Sequence, residues 1–198
     1  MFAIFLEPDF RLGNFIKVLK KDISEKYKNS SFVNHPPHCT IFYSLLSNNK
    51  LALKSSLNIL KKNINIKILC NKYSTFTNSP VKNETTLFIK IKSNKKLSKL
   101  QLDLAKNLSN QLKKNYVIKN KKKYKKKIIK NSFLKYGFPY VGRHWIPHFT
   151  IGTVKNKDNL LVSNFLKHNK SFAFKAKYIT FWKVNKDKHI LLGKQKLY

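Results

Sequence analysis

Two short motifs in the sequence combine histidine and threonine at the same spacing. They are His38-Cys39-Thr40 and His148-Phe149-Thr150, and each directly follows a proline, Pro37 or Pro147. Each motif also continues into apolar residues, which is typical of a β-strand. Since residues i and i+2 of a strand point to the same face, the histidine and the threonine of each motif should share one face.

Two imidazoles and two hydroxyls suit acid–base chemistry at a phosphodiester. Opening such an ester needs a base that activates water and an acid that protonates the leaving oxygen. Imidazole can take either role near neutral pH, because its ordinary pKa is about 6.5. The hydroxyls of Thr40 and Thr150 can stabilise the negative charge that develops on the phosphate. We therefore expect His38 and His148 to form a catalytic pair that needs no metal ion and no other cofactor.

Hydrophobic periodicity predicts the elements that must position these motifs. Apolar residues at helical spacing predict helices at about 9–27, 49–62 and 95–114, and a short one from Asp158 through Lys167. Apolar runs and alternating patterns predict strands at about 1–6, 38–43, 65–77, 84–92, 144–154, 171–185 and 188–197, with a turn at 78–80.

This order of elements indicates an α+β fold that forms one two-lobed domain over residues 1–198. After the first strand and helix, a β-α-β-β unit occurs twice, at about 38–92 and 146–197, with a helix between the two copies. Antiparallel hairpins mixed with helices favour two antiparallel sheets that face one another. Each histidine motif is expected to open the central strand of its half.

The paired motifs, each on a strand in one half of a two-lobed α+β chain, resemble the two-histidine phosphoesterase superfamily. This group includes the LigT-like bacterial RNA 2′,3′-cyclic phosphodiesterases, once called 2′-5′ RNA ligases. The resemblance implies two sheets on either side of a central cleft, with helices on the outside. It implies that His38 is the proton donor and that His148 is the proton acceptor. It also implies that Thr40 and Thr150 bind phosphate oxygens.

The expected activity is metal-independent hydrolysis of a 2′,3′-cyclic phosphate at an RNA end or on a nucleotide. One alternative is the cleavage of 2′-5′ linkages in the same cleft. The segment Tyr136-Gly137-Phe138-Pro139-Tyr140-Val141 is similar to a stretch in a superfamily branch associated with phosphonate metabolism, so a small cyclic phosphate is a second alternative. A module that binds a nucleotide or RNA without catalysis is the third.

Two residues beside the first motif have more than one interpretation. Phe42 shares the strand parity of His38 and Thr40, so it is a candidate for stacking on a base in the cleft, with core packing as the alternative. We interpret Cys39 as a buried strand residue rather than a nucleophile.

The histidines outside the motifs offer a metal site as an alternative. His35 and His144, together with the two motif histidines, could supply four imidazoles. Zinc is disfavoured, because no acidic residue lies near them in the sequence and the odd spacing of His35 and His38 puts these side chains on opposite faces of a strand. We interpret His168 and His189 as surface residues.

The charge is strongly unbalanced, with 42 Lys and Arg residues against 8 Asp and Glu residues. Such an excess attracts RNA or DNA, although a compositional bias towards Lys and Asn would also produce it. The lysines are densest at 118–130, within a basic segment at about 115–142. We expect a solvated loop there, with an RNA clamp beside the cleft as the functional alternative.

The remaining features favour a cytoplasmic monomer. No segment approaches the ~20 apolar residues that span a bilayer. The apolar stretch at 1–6 is short and is followed by Glu7 and Asp9, which is unlike a signal peptide. The two cysteines, Cys39 and Cys70, do not indicate a disulfide framework. We expect RNA or a cyclic nucleotide as the substrate and no membrane partner.

Overall fold

The structure, a computed structural model, describes residues 1–60, 64–77, 84–92, 94–155, 158–185 and 188–198. Within these ranges the chain forms eight β-strands and six α-helices. The strands are β1 (Phe2–Leu6), β2 (Cys39–Ser44), β3 (Lys67–Phe76), β4 (Glu84–Ile91), β5 (His148–Lys155), β6 (Phe172–Lys175), β7 (Tyr178–Asn185) and β8 (Lys188–Lys196). The helices are α1 (Phe10–Lys26), α2 (Asn49–Leu60), α3 (Lys95–Leu108), α4 (Lys114–Asn120), α5 (Lys127–Tyr136) and α6 (Asn159–Leu166).

The strands form two four-stranded antiparallel sheets, which confirms the predicted α+β class. The first sheet has the strand order β2-β1-β7-β8, and the second sheet has the order β5-β4-β3-β6. Each predicted β-α-β-β unit is divided between the sheets. The first unit gives β2 to the first sheet and β3 and β4 to the second, while the second unit gives β5 and β6 to the second sheet and β7 and β8 to the first.

Both histidine motifs lie at sheet edges. β2 is an edge strand of the first sheet and β5 is an edge strand of the second, so the expectation that each motif opens a central strand was wrong. The two edge strands lie against each other where the sheets meet. A central strand has neighbours on both sides and could not make this contact, so the edge position is what lets the motifs approach each other.

Side-chain caps explain where three of the helices begin. Asp9, Asn94 and Asp158 each accept a hydrogen bond from the backbone N–H three residues later, at 3.0, 3.0 and 2.9 Å. Such a cap satisfies an amide that has no partner inside the helix and contributes about 1 kcal/mol. The predicted helices are confirmed, except that α3 ends at Leu108 and a 3₁₀ turn continues to Gln111.

The basic segment at 115–142 is largely helical, so the expectation of a loop was wrong. It forms most of α4 and all of α5, which are joined through a 3₁₀ turn at Lys121–Lys123. Buried Val117 and Phe133 anchor the two helices, and the ring of Tyr124 lies 4.7 Å from that of Phe133. The few apolar residues are separated by lysines and form no continuous helical stripe in the sequence, which is why periodicity did not indicate these helices.

The strand predicted at 171–185 is in fact two strands. β6 pairs with β3 in the second sheet, and β7 pairs with β1 in the first. The chain crosses between the sheets at buried Ala176, whose backbone N–H donates to the carbonyl of Ile66. Alternation of apolar side chains continues through this crossing, so the sequence pattern does not reveal the break. The turn predicted at 78–80 lies outside the described residues.

One hydrophobic core connects both sheets with the helices. It includes Ile4 of the first sheet, Ile89 of the second sheet and Leu104 of α3, each fully buried. A smaller apolar cluster around Phe5 and Val184 lies on the opposite face of the first sheet. The apolar faces of the helices point into the core. No helix in the described ranges is both long enough and apolar enough to cross a bilayer.

Replacing Gly137 by alanine should destabilise the protein more than the same change at Gly142. Both glycines have a positive φ, +63° and +64°, which costs another residue about 1 kcal/mol. A Cβ at Gly137 would also overlap Ser44 and Leu112, whereas one at Gly142 would meet no atom within 4 Å. In urea denaturation we expect the unfolding free energy to fall by about 3 kcal/mol for Gly137→Ala and by about 1 kcal/mol for Gly142→Ala. Equal losses would contradict this packing.

Candidate active site

Contacts between the two motifs hold the edge strands β2 and β5 together. The thiol of Cys39 contacts the backbone of His148. The indole N–H of Trp145 donates to the carbonyl of Thr40 at 3.1 Å. These contacts place the start of β2 beside the start of β5, where the two sheets meet. That the rings of His38 and His148 line one cleft stays a prediction.

Equivalent hydrogen bonds orient the two imidazole rings. The Nδ1 atom of His38 lies 2.7 Å from the carbonyl oxygen of Pro36, and the Nδ1 atom of His148 lies 2.7 Å from that of Ile146. A carbonyl oxygen can only accept, so Nδ1 carries the proton in each ring. In the neutral ring Nε2 is then unprotonated and can accept a proton. Each histidine can therefore act as a base when neutral and as an acid when protonated.

The surroundings of both rings favour the neutral form. Burial lowers the pKa of His38 to about 3. The nearby side chains of Lys20, His35 and His189 shift this pKa in the same direction. Burial lowers the pKa of His148 as well. An anion bound between the rings would raise both pKa values, because it stabilises the imidazolium form.

Both motif threonines lie on the same faces as their histidines. Thr40 is paired with Phe5 on β1, and Thr150 is paired with Phe88 on β4. Both threonines are half-buried. Their hydroxyls therefore lie on the same faces of the sheets as the rings of the motif histidines. Their contact with a phosphate stays a prediction.

A β-bulge follows each of these threonines. The extra residue is Ile41 in β2 and Ile151 in β5, and each comes directly after the motif. A bulge bends its strand and reverses the alternation of side chains beyond it. Each strand can thus present a histidine and a threonine to the cleft and still direct its following apolar residues into the core.

Phe42 does not line the cleft, so its assignment as a base-stacking residue was wrong. It is fully buried and pairs with the core residue Ile4. The bulge at Ile41 reverses the parity on which the assignment rested, and core packing is the correct alternative. On the cleft face beyond the bulge lies Tyr43, which packs against the cluster around Phe5.

Aromatic rings pack against both histidines. The ring of Phe5 stacks on that of His38 at 3.8 Å, with an interplanar angle of 25°. On the second sheet, Phe76 and Phe88 stack on each other at 4.0 Å, and their centroids lie 5.1 and 5.0 Å from that of His148. These rings restrict the rotation of the imidazoles and exclude water from them, which is consistent with the lowered pKa values.

His189 belongs to this site, although the sequence indicated a surface residue. Its ring lies 4.5 Å from that of His35, 6.4 Å from that of Phe5 and 6.2 Å from that of Trp182. It is paired with Val184, which lies on the cleft face of the first sheet. The register of the β7–β8 hairpin brings His189 here, and the sequence pattern alone did not define that register.

Gln101 of α3 connects the segments that carry the two motifs. Its side chain is fully buried. Its Nε2 atom donates to the carbonyls of Ile41 and Tyr140 at 3.4 and 3.2 Å, and its Oε1 atom accepts from the N–H of Gly142 at 3.0 Å. Ile41 is the bulge residue of β2, and residues 140–142 lead to the second motif. The side-chain amide of Gln101 therefore fixes the spacing of the two motifs. The sequence did not indicate this role, because a glutamine in a leucine-rich helix is not distinguished by its pattern.

Lys20 of α1 supports the loop that leads to the first motif. Its ammonium group donates to the carbonyl of Phe32 at 2.5 Å, and burial lowers its pKa to about 8. Phe32 has a φ of +70°, in the left-handed region that a bulky residue rarely adopts. The charged hydrogen bond stabilises this conformation, which turns the chain towards His38.

Cys39 is not arranged as a nucleophile. Its thiol is free and buried, and burial raises its pKa to about 12. The thiolate, which is the reactive form, is therefore strongly disfavoured. As for a metal ion, no group of three or more His, Cys, Asp or Glu side chains within the described part of the chain is placed to hold one.

Solved structures share this fold over nearly the whole chain. TT0787 of Thermus thermophilus is 10% identical, with a TM-score of 0.60 and coverage of 99% of this chain and 97% of that one. E. coli LigT complexed with 3′-AMP is also 10% identical, with a TM-score of 0.57 and coverage of 99% and 96%. E. coli LigT complexed with NADP+ is 8% identical, with a TM-score of 0.56 and the same coverage. At these identities the likeness shows a common fold.

A family model described as the 2′-5′ RNA ligase superfamily matches residues 8–188. The chain belongs to this superfamily of two-histidine phosphoesterases, which confirms the resemblance carried by the two motifs. Its activity is of the phosphoesterase or ligase type. No curated protein matches its sequence.

Replacing Gln101 by methionine should destabilise the protein clearly more than the same change at Gln111. The change at Gln101 leaves the buried carbonyl of Ile41 and two half-buried backbone groups without this partner, at about 1 kcal/mol each, for a total of about 3 kcal/mol. Gln111 is the control, since its amide donates to Ser55 alone, at 3.0 Å, so its loss should be about 1 kcal/mol. Urea denaturation measures both losses. A loss for Gln101→Met no larger than that of the control would contradict the bridging role.

Both motif histidines should titrate below pH 6.5 when followed by NMR. Their folded pKa values lie below the ordinary value, so between the two values the unfolded chain binds more protons. Stability should therefore fall as the pH drops below about 6.5. Variants His38→Gln and His148→Gln would assign the signals, and inorganic phosphate should move both midpoints upward. A midpoint at or above about 6.5 without phosphate would contradict the buried neutral state.

Proposed function

We propose that this protein hydrolyses 2′,3′-cyclic phosphate ends of RNA or nucleotides by acid–base catalysis with two histidines and no metal ion. The observation that carries the proposal is the matched orientation of His38 and His148. Both rings use Nδ1 to bond a backbone carbonyl, and both leave Nε2 for the substrate. Two such groups on opposite sides of one cleft suit an in-line displacement at phosphorus.

The reaction needs one neutral and one protonated imidazole. Neutral His148 takes a proton from water, whose oxygen attacks phosphorus. The bond from phosphorus to one ribose oxygen breaks, and protonated His38 gives its proton to that oxygen, leaving a phosphate monoester and a free hydroxyl. The positive charge of nearby Lys20 supports the role of His38 as the donor, because it makes the imidazolium a stronger acid. An anionic phosphate beside the ring favours its protonation.

The threonines supply the other part of this mechanism. Thr40 and Thr150 lie on the same faces as the two histidines, so their hydroxyls can donate to the non-bridging phosphate oxygens. Negative charge on these oxygens increases as water adds to phosphorus. Hydrogen bonds placed there in advance stabilise the transition state more than the ground state.

The aromatic cleft supports a nucleotide as the substrate. Trp182 lies on the cleft side of the first sheet and is only half-buried, and such a ring can stack on a base. E. coli LigT, which shares the fold, has been seen with 3′-AMP. The superfamily is described by 2′-5′ RNA ligation, so the cleavage of 2′-5′ linkages in the same cleft is the second candidate.

Replacing either motif histidine by alanine should lower the turnover of 2′,3′-cyclic AMP by about 10³-fold, since each change removes one proton transfer. The assay contains EDTA throughout, and the wild-type rate should not change with the chelator. His168→Ala is the matched control, because this histidine is exposed and lies outside the cleft. It should keep the full rate.

Three results would count against the proposal. Loss of the wild-type rate in EDTA would show that a metal ion takes part. Cleavage of a 2′-5′-linked dinucleotide without cleavage of the cyclic phosphate would assign the cleft to the second candidate. A histidine variant that keeps the wild-type rate would remove that residue from the mechanism.

A further inference from the structure

The helices α4 and α5 carry a concentration of lysine that the histidine pair does not explain. The sequence has no Asp or Glu between Asp103 and Asp158. Within the described ranges, no ion pair involves any lysine of this region. The lysines are Lys113, Lys114, Lys119, Lys121, Lys122, Lys123, Lys125, Lys126, Lys127, Lys130 and Lys135. This uncompensated charge attracts a polyanion.

Tyrosines are interleaved with these lysines. The rings of Tyr116 and Tyr124 lie 6.4 and 4.7 Å from that of Phe133, so both pack around the same buried residue. Tyr140 follows α5, and 48% of its surface is exposed. Tyr116 and Tyr124 are half-buried, so part of each ring reaches the surface. Tyr124 lies close enough to Tyr116 and Tyr140 for their phenols to raise its pKa, in addition to the larger effect of burial.

Tyr43 connects this region to the cleft. It packs on the cleft face of the first sheet with the cluster around Phe5, on which His38 stacks. Burial raises the pKa of Tyr43, and the nearby phenol of Tyr116 raises it further. Tyr43 therefore lies between the apolar cluster that packs on the first motif histidine and Tyr116 of the lysine-rich helices.

We propose that this tyrosine–lysine surface binds the single-stranded RNA that leads into the cleft. The surface is made of the lysines named above with Tyr43, Tyr116, Tyr124 and Tyr140. The proposal rests on the proposed function for the terminal nucleotide, and it makes the substrate an RNA end rather than a free nucleotide. The lysines contact successive phosphates, and the tyrosines stack on the bases between them.

Single-stranded RNA fits this surface better than the other polyanions. Stacking needs unpaired bases, which a duplex does not offer. A lipid surface would use the apolar side chains of the helices, and Ile118, Ile128 and Leu134 are exposed there. The tyrosines, by contrast, extend towards the first motif histidine, since Tyr116 lies near Tyr43 and Tyr43 packs beside the cluster around Phe5. RNA is therefore the partner that explains both the rings and their position.

The test compares two triple variants of equal charge. Lys122, Lys123 and Lys126 change to glutamine in the first, and Lys50, Lys54 and Lys167 change to glutamine in the control. All six side chains are exposed. The control lysines lie on α2, which packs against the opposite face of the first sheet, and at the end of α6. Unchanged thermal midpoints would show that both variants fold.

Binding is measured with a labelled single-stranded RNA decamer that ends in a 3′-phosphate, over a range of salt concentrations. The first variant should bind at least about tenfold more weakly, and its salt slope should fall by about 2, or about 0.7 for each lost phosphate contact. The control should bind like the wild type. Both should turn over 2′,3′-cyclic AMP at the wild-type rate, because the lysines lie outside the cleft.

A second pair of variants tests the rings. Tyr116→Leu with Tyr124→Leu should weaken binding of the decamer by about tenfold, whereas the two Tyr→Phe changes should not, because phenylalanine still stacks. Equal affinity and salt slope in the two lysine variants would overturn the proposal. So would lysine-dependent binding to phosphatidylserine vesicles but not to RNA. Failure of the wild type to open any cyclic phosphate would refute the proposed function, while the binding data would still decide the RNA surface.

Discussion

The chemistry of this site depends on one proline in each motif. That proline lies between the histidine and the residue whose carbonyl accepts a hydrogen bond from the imidazole. The His38 ring donates to the carbonyl of Pro36 across Pro37, and the second motif repeats this geometry across Pro147. Proline fixes its own φ near −65° and restricts the preceding residue to extended conformations. The carbonyl is therefore held beside the imidazole by covalent geometry. A freely rotating ring would expose either nitrogen, whereas these rings both present Nε2. The prolines that the two motifs share therefore have a physical role. They give the two histidine rings, which are distant in the sequence, the same tautomer.

The orientation of the two rings suits acid–base chemistry only if the distance between the rings is controlled as well. The motifs lie on edge strands of different sheets, and edge strands are usually the least constrained part of a sheet. Here the bulge after the first motif leaves the carbonyl of Ile41 available, and the buried amide of Gln101 uses it to connect β2 with the segment before the second motif. The indole of Trp145 makes a second connection, to Thr40. The irregular positions of β2 are therefore the ones through which the two sheets are fixed relative to each other.

Local sequence patterns predicted the features of the structure that depend on interactions between residues close in the sequence. The apolar stripes of α1 and α3 and the cap at Asp158 predicted three of the helices, and the two motifs identified the histidine pair and its family. Most of the failures concern pairing between distant segments. A bulge adds one residue without a signature of its own, so Phe42 was assigned to the wrong face. The edge position of the motifs, the split of the strand at 171–185 and the place of His189 depend on which strands become neighbours, and sequence periodicity does not contain that information.

The electrostatics of the site link binding to catalysis. The chain carries a formal net charge of +34, and some of this charge stands close to His38. Positive charge lowers the pKa of an imidazole and also attracts a phosphate, so the two effects have one source. In the free protein both rings are held neutral, and the pair lacks an acid. In the proposed mechanism an arriving phosphodiester brings the negative charge that favours protonation of the rings. In this mechanism the substrate thus forms its own proton donor, and two half-buried histidines with lowered pKa values can act as an acid–base pair.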